Sequence, residues 1–143
     1  MRWFVMSLVG LSSLAAAAPT QPVASPAIVA TQQLQPGQWT LRTRGGAQES
    51  RSLCVNDVNS LFQIRHSGAL CPRFVVTNKA HLATVQYRCA GAGQGRTTIR
   101  VETSRLVQIE TQGVADKQPF MRSYEARRTG ECTASGGANA GQR

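Results

Sequence analysis

Carboxylates, histidines and aromatic residues are all scarce in this chain of 143 residues. Seven acidic residues stand against sixteen basic ones. No two of the acids are spaced as a catalytic pair for glycoside hydrolysis, which needs two carboxyl groups flanking one bond. The two histidines, His66 and His81, have no second ligand at metal spacing. Neither lies in a pattern of nucleophile, base and orienting acid. The four cysteines include no C-x-x-C, which excludes a thioredoxin-like redox site and a zinc ribbon. The glycine run Ala90-Gly91-Ala92-Gly93-Gln94-Gly95-Arg96 reads G-x-G-x-G, not G-x-G-x-x-G. It leads into the β formers Thr97-Thr98-Ile99 and not into a helix, so it reads as a flexible hairpin connection and no phosphate cradle. Aromatic residues make up 6% of the chain, and Trp39, Phe74 and Tyr87 fall at expected core positions. That leaves no stacking platform for nucleic acid.

What is present begins with an address. Arg2 is followed by the apolar run Trp3 to Leu11 and by small residues ending in Ala15-Ala16-Ala17-Ala18. A charged tip, a short apolar core and an A-x-A site make a secretory signal peptide, residues 1–17, cleaved after about Ala17. The apolar run falls short of the roughly 20 residues that a membrane-spanning helix requires. Export predicts an oxidising compartment, where Cys54, Cys71, Cys89 and Cys132 are expected as two disulfides. Four cysteines allow three connectivities. The favoured one pairs Cys54 with Cys71, around a short helix, and Cys89 with Cys132, at the far end of the sheet.

Residues 18–33 hold three prolines among small polar residues and no charge, and read as a flexible linker. The last eleven residues, 133–143, are poor in core formers and read as a disordered tail. A single domain is therefore expected over 34–132. Pro36-Gly37 turns the chain into Gln38–Thr43, where Trp39 and Leu41 alternate with polar residues as in a half-buried strand. Asn56 or Asp57 caps a short helix carrying Val58, Leu61 and Phe62. Phe74–Thr77 and Leu82–Cys89 read as strands. In the hairpin over 97–111, a three-residue loop Thr103-Ser104-Arg105 sets Val101 opposite Val107 and Ile99 opposite Ile109. A two-residue loop would set Val101 against Gln108, apolar against polar, because a one-residue slip flips every side chain. A last strand runs from about Phe120 to Arg128. The fold class is α+β, mostly β: an antiparallel curved sheet or partial barrel of about six strands with one short helix.

Fourteen of the sixteen basic residues are arginine, which favours bidentate contact with carboxylate or phosphate. Arg122, Arg127 and Arg128 form the densest positive stretch and are the candidates for anion binding. No catalytic residue, metal ligand or cofactor is assigned. Should an enzyme be assembled only in three dimensions, its candidates are His66, His81 and Glu125. A structural envelope-stress protein is the third reading.

The order of landmarks resembles a family of small exported proteins of Gram-negative bacteria known only as domain of unknown function 3617. Leu34-Gln35-Pro36-Gly37-Gln38-Trp39 is similar to its opening PG-x-W. Tyr87-Arg88-Cys89-Ala90-Gly91 falls where the family has an aromatic residue, a cysteine and glycines. Ala126-Arg127-Arg128-Thr129-Gly130-Glu131-Cys132 is similar to its RR-x-G-x-C ending. The likeness spans 34–132, but Arg100, Glu102, Arg105 and Glu110 depart from a segment that the family fills with Met, Thr and Gly. The resemblance implies a periplasmic, disulfide-bonded, β-rich domain and no activity. The expected function is a non-enzymatic binding or envelope module, a monomer whose partner is an anionic envelope component or a periplasmic protein, not a specific nucleic acid.

Overall fold

The computed structural model describes residues 25–133. The expected signal peptide, the first part of the expected linker and the tail from 134 onward lie outside the described residues. Seven strands form one open antiparallel sheet: β1 Gly37–Thr43, β2 Ser50–Val55, β3 Arg73–Lys79, β4 Leu82–Cys89, β5 Gly93–Thr103, β6 Leu106–Ala115 and β7 Gln118–Gly130. Their order across the sheet is β2-β1-β7-β6-β5-β4-β3. The strand missed in the sequence is β2, whose Ser50-Arg51-Ser52 start carries no apolar alternation. The sheet does not close into a barrel; β2 and β3 are its edges.

Alternation decides which face is buried, since successive side chains of a strand point to opposite sides. Trp39 and Leu41, Ala83 and Val85, Ile99 and Val101, Val107 and Ile109, and Tyr124 and Ala126 all turn inward. Two 3-10 helices cover them, η1 Val29–Gln33 and η2 Val58–Gln63. η2 replaces the expected α-helix: the Asp57 carboxylate accepts from Asn59 N at 2.8 Å and Ser60 N bonds Asp57 O at 2.9 Å, an i to i+3 bond. Leu61 and Phe62 of η2 enter the core.

The expected linker needs correction. Its last residues are packed structure, with Ile28 and Ala30 buried beside Leu34. Asn78 binds this segment, accepting from Val29 N at 2.8 Å and donating to Ala27 O at 2.9 Å. The absence of charge, read as a mark of a linker, is what lets the segment lie on an apolar core.

The 97–111 hairpin has the expected pairing, Val101 with Val107 and Ile99 with Ile109. It reaches it differently: Ser104-Arg105 is a two-residue turn, and the extra residue is taken up as a bulge between Val101 and Thr103. The glycine run is more ordered than the flexible hairpin connection expected of it. β5 begins at Gly93, and Gly95 lies opposite Tyr87. A Cβ on Gly95 would come within 2.6 Å of Tyr87 Cζ, so the tyrosine ring lies across bare backbone. Phe74, expected in the core, sits on the outer face and is 69% exposed.

The disulfides join Cys54 to Cys132 and Cys71 to Cys89, not the favoured pairs. Closeness in sequence misled, because β2 and β3 end at opposite edges. The register explains the true pairs. Arg73 faces Tyr87, so two residues further along Cys71 faces Cys89. Gln38 lies between Cys54 and Gly130, which brings Cys132 to β2. Two closed disulfides fit an oxidising, exported environment. No helix among the described residues is long and apolar enough to cross a membrane.

Candidate functional site

The two histidines do not make a site. His66 is buried and engaged at both ring nitrogens: Nδ1 lies 3.0 Å from Tyr87 Oη, and Nε2 lies 3.2 Å from Val114 O. A carbonyl only accepts, so Nε2 carries the hydrogen. In the neutral ring Nδ1 then accepts from the Tyr87 hydroxyl. Burial pushes the Tyr87 phenol above its ordinary value, offset in part by the Thr111 hydroxyl and the Arg65 charge. Beside this pair Thr97 Oγ1 donates to Phe62 O at 2.6 Å and lies 2.7 Å from Thr111 Oγ1. These groups satisfy one another and leave none directed at a ligand.

His81 is exposed at the β3–β4 turn, where its Nδ1 lies 3.4 Å from Gln33 Nε2. Tyr87, which His66 touches, lies six residues further along β4, about 20 Å at strand spacing. Glu125 lies on β7, and its nearest basic partner is Arg127 at 3.8 Å. Among the described residues no cluster of His, Cys, Asp and Glu could hold a metal ion.

The three candidate arginines are separated by the geometry of one strand. Arg127 and Arg128 are neighbours in sequence and therefore point to opposite faces of β7. Arg128 is a structural group: Nε donates to Pro36 O at 2.6 Å and Nη2 pairs with Glu131, fastening the start of β1 to the end of β7. Arg127 is paired with Glu125. Arg122 lies near the other end, with Nη1 donating to Met121 O at 2.9 Å.

Arg122 has different company. A groove of about 400 Å³ on the polar face of the sheet is lined by Arg44, Thr98, Arg100, Glu102, Gln108 and Glu110. It continues through Thr98 and Glu110 into a second hollow of about 220 Å³ that holds Arg96 and Arg122. Arg44, Arg96 and Arg100 thus share one face with two glutamates. Arg122, by contrast, pairs with buried Thr111, has the strand parity of Tyr124 and Ala126, and borders the hollow from the other face. None of the four arginines has a carboxylate within 4.0 Å among the described residues. Arg44 donates to Gln108 Oε1 at 2.9 Å, which aims it across the groove and leaves further guanidinium donors.

Sequence reading missed Arg44, Arg96 and Arg100 as a group. A signal was there: Arg96 and Arg100 share parity with Thr98 on the strand whose other parity is Thr97, Ile99 and Val101. Arg44 could not be found so, because it follows β1 and reaches Gln108 only through β7 and β6. No family model, no curated protein and no solved structure matches this chain.

Proposed function

We propose that this is an exported, non-catalytic binding module that holds an anionic component of the bacterial envelope on the polar face of its sheet. The observation that carries this reading is the groove in which Arg44, Arg96 and Arg100 stand without carboxylate partners. Guanidinium groups fixed on a sheet offer forked donors to phosphate or carboxylate. A net charge of +9 draws such anions from a distance. The signal-peptide pattern and the two disulfides support a periplasmic location, and the likeness to the 3617 family accords with it. The commitment of both nitrogens of His66 to neighbouring groups supports the non-catalytic side of the reading.

The test is co-sedimentation with phosphatidylglycerol vesicles and retention on an acidic polysaccharide, each over a range of salt. Arg96→Gln with Arg100→Gln is expected to weaken binding about tenfold and to flatten its salt dependence, while Arg127→Gln changes little. Vesicle binding alone assigns a headgroup, and polysaccharide binding alone assigns a carboxylate polymer. Equal binding by the double variant and the natural chain overturns the assignment.

A further inference from the structure

The two edges of the sheet are finished differently. β3 carries a bulge at Val76, ends in Lys79 and is tied to the N-terminal segment through Asn78. Bulges and edge lysines are the means by which natural sheets refuse a further strand. β2 has neither a bulge nor a lysine, though Arg51 and the Cys54–Cys132 bond hold it to neighbouring segments. It pairs with β1 without a break from Gly37–Val55 to Arg42–Ser50 and contains neither proline nor lysine.

Its free hydrogen-bonding groups follow from the ladder. Thr43 N donates to Glu49 O at 2.9 Å, so those two form a hydrogen-bonded pair. Bonded and non-bonded pairs alternate in an antiparallel ladder, which makes Leu41–Arg51 and Trp39–Leu53 bonded pairs. The backbone groups of Ser52 and Cys54 therefore turn to the free side. The Thr40 and Ser52 hydroxyls, 3.0 Å apart, agree with the closer side-chain approach of a non-bonded pair.

A cleft of about 280 Å³ runs beside this edge, with Leu53 and Cys54 on one wall and Ile64, Ser67 and Gly68 on the other. Arg51, Ser52, Ser60, Gln63 and His66 complete its lining, and no carboxylate lines it. One Arg51 nitrogen donates to Ile64 O at 2.8 Å, leaving other donors free.

We infer that β2 is a docking edge, which takes an extended segment of a partner protein as an added strand. The segment bears apolar side chains against Leu53 and Ile64 and a carboxylate against Arg51. Main-chain bonds supply the grip and alternate side chains the choice of partner, as in strand addition generally. Charge decides the occupant: a second copy brings another +9, whereas an acidic segment complements Arg51. The surface is separate from the arginine groove, so either reading can fail without the other.

The experiment titrates the isotope-labelled mature chain with three short synthetic peptides and follows its amide resonances. One carries valine and aspartate two residues apart among threonines, so that both face Leu53 and Arg51. The second has lysine in place of aspartate, and the third is the aspartate peptide N-methylated at alternate residues. The aspartate peptide is expected to shift the amides of Ser50–Val55 and of residues 60–68. The lysine and methylated peptides are expected to bind about tenfold more weakly or worse, since charge pairing or ladder bonds are lost. Ser52→Pro should reproduce the methylation loss, because it deletes a free-side donor and spares the β1 ladder. Arg51→Gln should erase the preference for aspartate over lysine. Should Ser52→Pro fail to fold, the methylated peptide decides alone. Shifts confined to β3 or to the arginine groove, or equal binding of the methylated peptide, overturn the proposal. So does exchange protection of the Ser52 and Cys54 amides without peptide, whether it rises with concentration (a second copy) or vanishes on truncation after Thr133 (the chain's own tail).

Discussion

A single tyrosine shows how the interior of this protein was arranged around polar groups. Tyr87 is buried, donates to His66, and owes its room to Gly95 opposite it. Its phenol is held above the ordinary value of about 10, chiefly by burial. The unfolded chain therefore loses this proton at lower pH than the folded one. The associated stability is whole below about pH 10 and declines as pH rises beyond it. Tyr87→Phe is expected to lessen that alkaline decline in a urea titration, and to cost about 1 kcal/mol at neutral pH by leaving His66 Nδ1 without its donor. The same decline in both proteins would refute this. His66 and Tyr87 also mark a limit of sequence reading. The alternation of β4 placed Tyr87 inward, but nothing in Arg65-His66-Ser67-Gly68 says that its histidine folds back onto that tyrosine. The contact depends on a register between distant segments.

At the scale of elements, the turns carry the strain. Asp116 and Lys117 join β6 to β7 as a two-residue turn, both with positive φ, 52° and 62°. This is the conformation that Asn-Gly or Asp-Gly adopts readily and that a lysine adopts at a cost. Lys117→Gly should therefore stabilise the protein by about 0.5–1 kcal/mol, read as a higher urea midpoint at unchanged slope. Most elements were legible because they alternate cleanly, as Leu82–Cys89 and Thr97–Ile109 do. β2 was not, because as an edge strand with exposed serines and an arginine it lacks the pattern that burial imposes. Phe74 shows the converse error: an aromatic residue in a strand was assigned to the core, yet its strand parity faces solvent. The anion candidates fared similarly. Arg122 was found as part of a run in sequence, whereas the groove arginines come from two other places in the chain, Arg44 after β1 and Arg96 and Arg100 on β5.

For the molecule as a whole, the two disulfides act on unlike distances. Cys54–Cys132 closes 78 residues and Cys71–Cys89 closes 18. In the chain-entropy description these closures contribute about 4.5 and about 3 kcal/mol. Replacing Cys54 and Cys132 by serine is expected to destabilise more than replacing Cys71 and Cys89, with the two losses compared by urea unfolding under non-reducing conditions. The reverse order would place the stabilising effect in local packing at Cys89. The long closure also coincides with the one pairing that crosses the fold, β1 with β7, while β3 to β7 form a simple meander of neighbours.

That arrangement has a consequence for the order of events when the chain emerges N-terminus first. Trp39 and Cys54 arrive early, yet the strand that covers one and the thiol that bonds the other come last. In the interval Cys54 has only Cys71 and then Cys89 within reach. A bond made in order of arrival joins Cys54 to Cys71, and thiol–disulfide exchange must undo it before β7 can settle beside β1. A chain that oxidises in order of arrival therefore needs exchange as well as oxidation to reach the nested pairs.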